Sequence, residues 1–244
     1  MMRTHRIYTD QALQAEQAVT LVDDAAHYLS RVLRVSIGQS VILFNGDGSD
    51  YLAEIHRVER TAITLELSDC LPACAESPLH ITLVQAISRG ERMDLSLQKA
   101  TELGVAALQP VCTVRTEVRL SADKLERRME HWHKVIISAC EQSGRSCLPA
   151  LHQPIALTAW AQQDSQASRV MLTPGASGSL ARITPGLAVE LLVGPEGGFD
   201  ERELEFLHRH GVLAVSLGPR ILRTETAGPA AIAIMQALAG DMAV

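Results

Sequence analysis

Twice in its last quarter this chain runs from an apolar strand-like stretch, through a loop rich in glycine and proline, into a helix-like segment. The first passage is LLVGPEGGF at Leu191 to Phe199, and the second is SLGPRILRTETAG at Ser216 to Gly228. Repeated strand–loop–helix units point to an α/β domain, because parallel neighbours need a long crossover and a helix is the usual one. In such domains ligands settle beyond the carboxyl ends of strands, so the two loops are expected to share one pocket. The second loop also carries Arg223 and Glu225, one residue apart. The segment after it, TAGPAAIAIMQALAG, is nearly charge-free, which predicts a helix buried all round, within its own domain or against another subunit.

Upstream of these loops the alternation continues. LHITLVQAI reads as a buried strand and SRGER as a loop. MDLSLQKATEL then forms a helix with Met93, Leu97, Ala100 and Leu103 near helical spacing, stopped by Gly104, before a second strand, VAALQPVC. A longer helix from about Ser121 sets Leu125, Met129, Trp132, Ile136 and Cys140 on one stripe, with Gly144 as its stop. RVMLT, LAVELLV and LAVSL supply further strands, so a mostly parallel sheet covered on both faces is expected.

The segment from His5 to about Leu67 has a different texture. Two apolar runs flank Asn45-Gly46-Asp47-Gly48, a strong hairpin signal because Asn and Gly accept positive φ. AITLEL alternates at period 2, and DDAAHYLSRVLRV reads as a short helix presenting Arg31 and Arg34 on one side. A small β-barrel over residues 1–70 is the simplest assembly. An aperiodic stretch with two prolines follows as a linker over 71–79, and the α/β domain occupies 80–244.

Composition narrows the function classes. No uninterrupted apolar stretch approaches the roughly 20 residues that span a bilayer, and MMRTHRIYTD lacks the apolar core of a secretory signal, so a cytoplasmic protein is expected. The five cysteines are scattered without a CxxC pair, which fits reduced thiols better than a disulfide framework. Cys70 and Cys74 lack a nearby second pair, and His131 and His133 point to different helix faces, so no metal is expected. The net charge of −6 argues mildly against nucleic acid, but residues 1–75 carry net −4 whereas 79–150 carry net +2. Arginine outnumbers lysine 19 to 3, which suits planar recognition of phosphates or bases.

GPEGG lacks both the GxGxxG of dinucleotide sites and the Gly-Lys-Ser/Thr of a P-loop, so neither phosphate mechanism applies. Its glycines suit close approach of main-chain groups to a planar heterocycle, while Pro195 fixes one φ. Asp200 and Glu203 have the spacing of a helix cap. Glu196 fits a solvent-exposed turn position, and Arg223 and Glu225 either pair with each other or act on a ligand.

RGERMDLSLQKATELGV, ACEQSGR, LLVGPEGGF and LGPRILRTETA, in this order behind HYLSRVLRVSIGQSVILFNGDG, resemble the RsmE family of 16S rRNA (uracil-N3) methyltransferases within the SPOUT class. The resemblance spans almost the whole chain. It implies a small PUA-like RNA-binding β-barrel, then an α/β SPOUT domain with a C-terminal trefoil knot, acting as a homodimer on 16S rRNA in the small ribosomal subunit. It implies S-adenosylmethionine as cofactor, held by the two loops. Backbone groups of Gly194, Pro195, Glu196, Gly197, Gly198 and Gly218 would read the adenine edge. Leu172, Leu217, Ile221 and Leu222 would enclose the ring, with Thr173 and Thr224 as polar contacts. Glu225 is the candidate proton acceptor and Arg223 the group steadying uracil oxygens or a phosphate. Arg3, Arg6, Arg31, Arg34, Arg89 and Arg92 are the candidate RNA contacts. Two other readings stay open: a knotted methyltransferase acting on a ribose 2′-oxygen or a tRNA, and a non-catalytic RNA-binding assembly factor.

Overall fold

A computed structural model describes residues 4–72, 75–116, 122–180, 186 and 188–242. The chain divides into two compact units. One runs through Ala75 and includes Cys140–Leu148; the other comprises Glu76–Ala139 and the chain from Pro149.

The first unit begins with β1 (Arg6–Tyr8) and β2 (Ala18–Val22), followed by α1 (Asp23–His27) and a single π-helical turn, Tyr28–Val32. Next come β3 (Ser40–Phe44), β4 (Ser49–Val58) and β5 (Ala62–Pro72). These strands pair in the order β1-β3-β4-β5-β2, antiparallel except for β1 beside β3. The expected hairpin joins β3 to β4, with Gly46 and Gly48 both at φ +91. Asp47 locks the turn: its Oδ1 accepts from Ser49 N at 2.8 Å and its Oδ2 from the Tyr51 hydroxyl at 2.9 Å. Period-2 alternation sends Val19, Leu21, Val41, Leu43, Ile55, Ile63 and Leu65 into one core, where each is at most 3% exposed.

Three details depart from the sequence reading. AVTLV, not assigned there, is a strand whose alternate residues are buried. β5 continues through Ser68–Pro72, because the long β4 offers backbone partners as far as Ser49 opposite Pro72. Lack of apolar periodicity does not end a strand that still has a ladder to join. Arg34 lies beyond the helical turn with φ +51, so it does not share a helix face with Arg31, although both are exposed.

The second unit contributes β6 (His80–Ala86), α2 (Glu91–Glu102), β7 (Ala107–Cys112) and α3 (Ala122–Ser143), the last straddling both units in sequence. Short β8 (Ala150–Leu151), β9 (Ile155–Ala156) and α4 (Leu157–Ala161) follow. The chain continues through β10 (Ser168–Leu172), β11 (Gly178–Ser179), β12 (Ala188–Val193), α5 (Glu201–Arg209), β13 (Leu213–Ser216) and α6 (Thr224–Ala239). Among the described residues the sheet order is β11-β13-β10-β12-β6-β7-β8, with β9 also on β7, and every pairing is parallel. The helix stops stand where expected: Gly104 and Gly144 take φ +81 and +88. No helix among the described residues is long and apolar enough to cross a membrane.

Within the single chain helix α6 is buried on one side only. Ala231, Ile232, Met235 and Gln236 face inward, whereas Ile234 and Leu238 are 40% and 55% exposed. Gln236 is fully buried and satisfied at both ends of its amide. Its Nε2 donates to Leu103 O at 3.0 Å, and its Oε1 accepts from Ser77 Oγ at 2.6 Å.

Arg6, expected among the RNA contacts, turns inward. Its guanidinium makes a bidentate pair with Asp50, Nη2 to Oδ1 at 2.9 Å, and donates to Ser146 Oγ at 3.0 Å and Arg145 O at 3.2 Å. It also lies over the Phe44 ring at 5.0 Å, and both side chains of the pair are only 12% exposed. A guanidinium stays charged wherever it sits, so this one needs its anionic partner to offset the cost of burial, and through these bonds Arg6 holds the 140–148 segment to the sheet. Asp50→Ala, which leaves a buried cation unpaired, is expected to lower unfolding stability by roughly 3–5 kcal/mol in urea titration. Replacing Arg6 by methionine as well is expected to recover much of that loss.

Candidate active site

Because β7, β6, β12, β10 and β13 lie side by side and parallel, their carboxyl ends leave the sheet along one edge. The loops after them therefore converge, although they are far apart in sequence. They enclose a cavity of about 550 Å³, a volume suited to a small ligand. Every residue assigned above to the cofactor or to chemistry lines it: Leu172, Thr173, Gly194 to Gly198, Leu217, Gly218, Ile221 and Leu222, then Arg223, Thr224 and Glu225.

One hydroxyl joins the two glycine loops. Thr224 Oγ1, at the start of α6, donates to Gly194 O at 2.8 Å and accepts from Gln85 Nε2 at 3.0 Å. Gln85, at the end of β6, is 1% exposed and also donates to Ala86 O at 3.0 Å. Thr224, expected to be a polar ligand contact, lines the cavity, and its hydroxyl also braces the two loops. Gln85 escaped the sequence reading, although a lone amide near the end of the apolar run HITLVQA was a visible signal.

The glycines have more than one reason. Gly198 N bonds Pro195 O at 2.9 Å to close a turn, and Gly198 and Gly218 take φ +67 and +91, where a side chain would be strained. At Gly194 a Cβ would lie 3.1 Å from the Phe199 ring, and at Gly197 3.3 Å from Arg115 Cδ. These two positions also make room for the protein's own side chains, in addition to lining the cavity. The Asp200 and Glu203 cap is present in both directions, at 2.7 and 3.0 Å. Glu203 Oε1 additionally accepts from Val114 N at 2.7 Å, which fixes the loop after β7 that carries Arg115.

Charge gathers at the mouth. Arg92 Nη1 donates to Glu196 Oε1 at 2.8 Å, and Arg115 Nη1 donates to Gly197 O at 2.6 Å. Arg115 was not singled out from sequence, where nothing in CTVRTE separates it from a solvated charge. Burial pushes the Glu196 carboxyl up. The Arg92 hydrogen bond and the backbone N–H groups of Glu196 and Arg89 more than offset this, leaving its pKa below the ordinary value. The Arg92 guanidinium is raised, first by its bond to Glu196, with the charges of Glu196 and Glu225 adding to this. Among the described residues Arg223 and Glu225 form no ion pair with each other. Arg223 is exposed, while Glu225 Oε2 is buried without a hydrogen-bond partner, as is Thr173 Oγ1.

Of the other arginines named for RNA, Arg89 is exposed near this mouth and Arg31 and Arg34 are exposed on the first unit. Arg3 lies outside the described residues. His131 bonds Asp94 Oδ2 at 2.8 Å, an ordinary surface contact between α3 and α2.

A parallel-sheet unit with its cavity at the strand ends, preceded in sequence by an antiparallel sheet, is a combination shared with known enzymes. Residues 75–236 match the RNA methyltransferase domain and residues 21–68 the RNA methyltransferase PUA domain. The ribosomal RNA small subunit methyltransferase E of Buchnera aphidicola subsp. Schizaphis graminum is 32% identical over 242 residues, 98% of each chain. A putative methyltransferase from Legionella pneumophila, in complex with the bound cofactor SAM, has a TM-score of 0.95 at 40% identity and covers 98% of this chain and 100% of its own. The ribosomal RNA small subunit methyltransferase E of Neisseria gonorrhoeae, bound to S-adenosyl methionine, has a TM-score of 0.91 at 39% identity, covering 98% and 99%. The chain belongs to the RsmE family of ribosomal RNA small subunit methyltransferases.

Two outcomes test the geometry. Thr224→Val keeps the shape but leaves Gly194 O without its donor and one of the two Gln85 Nε2 protons without its acceptor, so thermal unfolding should report a loss of about 1–3 kcal/mol. Glu196, with its pKa lower in the folded state, contributes stability above its unfolded pKa and loses it as pH falls through the folded one. Glu196→Gln should therefore melt slightly below the wild type at neutral pH, the gap closing in acid.

Proposed function

We propose that this protein transfers the methyl group of S-adenosylmethionine to N3 of a specific uracil in 16S rRNA, acting in the cytoplasm on the assembled small subunit. The observation that carries the chemistry is Glu225, whose Oε2 sits buried in the cavity wall with no donor of its own. Uracil N3 holds its proton at neutral pH, so the reaction needs an acceptor for it. An unsatisfied carboxylate oxygen supplies one.

The cavity suits the cofactor. When bound, S-adenosylmethionine supplies an electrophilic methyl carbon on a cationic sulfonium, and it has no phosphate that would call for a basic cradle. Leu172, Leu217 and Leu222 offer apolar walls, the Thr173 hydroxyl is an unpaired polar group, and the turn at Pro195–Gly198 offers main-chain groups. In this reading Arg223, exposed one residue before the buried Thr224, steadies the oxygens of the deprotonated uracil. Two further parts of this reading come from family membership: a trefoil knot threading the strand-end loops, and a homodimer. The exposed apolar residues Ile234 and Leu238 of α6 support the dimer.

Calorimetry with S-adenosylmethionine is expected to show saturable binding by the wild type and, within about threefold, by Glu225→Gln. Methyl transfer to small subunits by Glu225→Gln should fall by roughly 10²–10⁴-fold, the usual contribution of a general base. Unchanged transfer would remove Glu225 from the mechanism, and absence of cofactor binding by the wild type would remove the reaction.

A further inference from the structure

Beside the large cavity lies a smaller one of about 360 Å³, lined by Arg89, Arg92, Arg115, Glu196 and Gly197. Its three arginines come from three separate places: the loop after β6, the first turn of α2 and the loop after β7. One carboxylate faces them. Glu196 Oε1 takes Arg92 Nη1 at 2.8 Å, and its carboxylate also receives the backbone N–H of Arg89. Arg92 and Arg115 set two cations against the one carboxylate of this lining, a formal surplus of positive charge. Arg92 and Glu196 are 44% and 36% exposed, so a ligand from solvent can reach the pair.

A phosphodiester carries the same single negative charge as a carboxylate and takes the same planar arginine donors. We propose that the smaller cavity is a phosphodiester subsite for an RNA strand, and that the Glu196 carboxylate holds its place in the free protein until the strand displaces it. This rests on the reading of the chain as an enzyme acting on RNA. Arg92, Arg115, Glu196 and Gly197 line both cavities, so a phosphate held in the smaller one leaves its nucleoside at the mouth of the larger. The placeholder also keeps the arginine cluster paired, which disfavours non-specific anions.

Fluorescence anisotropy of a labelled single-stranded, uridine-rich RNA, measured on the full chain without cofactor over a range of salt, tests this. Arg115→Gln keeps a donor for Gly197 O but removes a cation, and should weaken binding and lower the salt slope by about one. Glu196→Gln removes the competing charge and should tighten binding by up to about fivefold, the scale of an exposed ion pair. An unchanged slope in Arg115→Gln, binding by Glu196→Gln no tighter than wild type, or no wild-type binding overturns the proposal. Should Arg115→Gln fail to fold, Glu196→Gln decides alone. Methyl transfer, assayed separately, keeps the two readings apart: transfer with an unchanged slope sinks only the subsite, and the expected binding changes without transfer sink only the reaction.

Discussion

The parallel pairing of β7, β6, β12, β10 and β13 is the constraint on which the active-site architecture depends. Parallel strands all leave the sheet in the same direction, so five loops from residues 87 to 223 are delivered to one edge without any having to be long. Antiparallel pairing of any one strand would send its loop to the opposite edge. The cavity is thus a consequence of strand direction, and the side chains in the loops refine it.

Refinement is chiefly polar. Thr224, Gln85 and Gly194 tie β6, the loop after β12 and the start of α6 into one cluster, and Glu203 ties the cap of α5 to the loop after β7. Each tie uses a buried group whose loss leaves another unpaired, so the loops are held where the sheet delivers them. Four buried side-chain atoms among the described residues have no partner, Arg6 Nε, Gln85 Oε1, Thr173 Oγ1 and Glu225 Oε2, and the last two belong to residues that line the cavity. In the proposed reaction these are the groups left available for a substrate and a cofactor.

Much of this was legible in the sequence. Local chemistry identified the hairpin at Asn45–Gly48, the stops at Gly104 and Gly144, the cap at Asp200 and the two glycine loops, because each depends on residues close together in the chain. Pairing across the fold was not legible. β5 reaches Pro72 only because β4 lies beside it, and Arg6 is buried only because Asp50 and Ser146 meet it. Arg115 joins Arg89 and Arg92 through the register of β7 on β6, which no spacing rule reveals. Even Thr224, which lines the cavity, has a partner in Gln85 139 positions away.

The most direct test of the central claim is nucleoside mass spectrometry of 16S rRNA. The substrate would be small subunits from cells lacking this protein, incubated with the purified chain and methyl-labelled S-adenosylmethionine. The label is expected to appear as 3-methyluridine at a single uridine, and only when the protein is present. Label on a ribose 2′-oxygen or on another base, or no label despite cofactor binding, would contradict it.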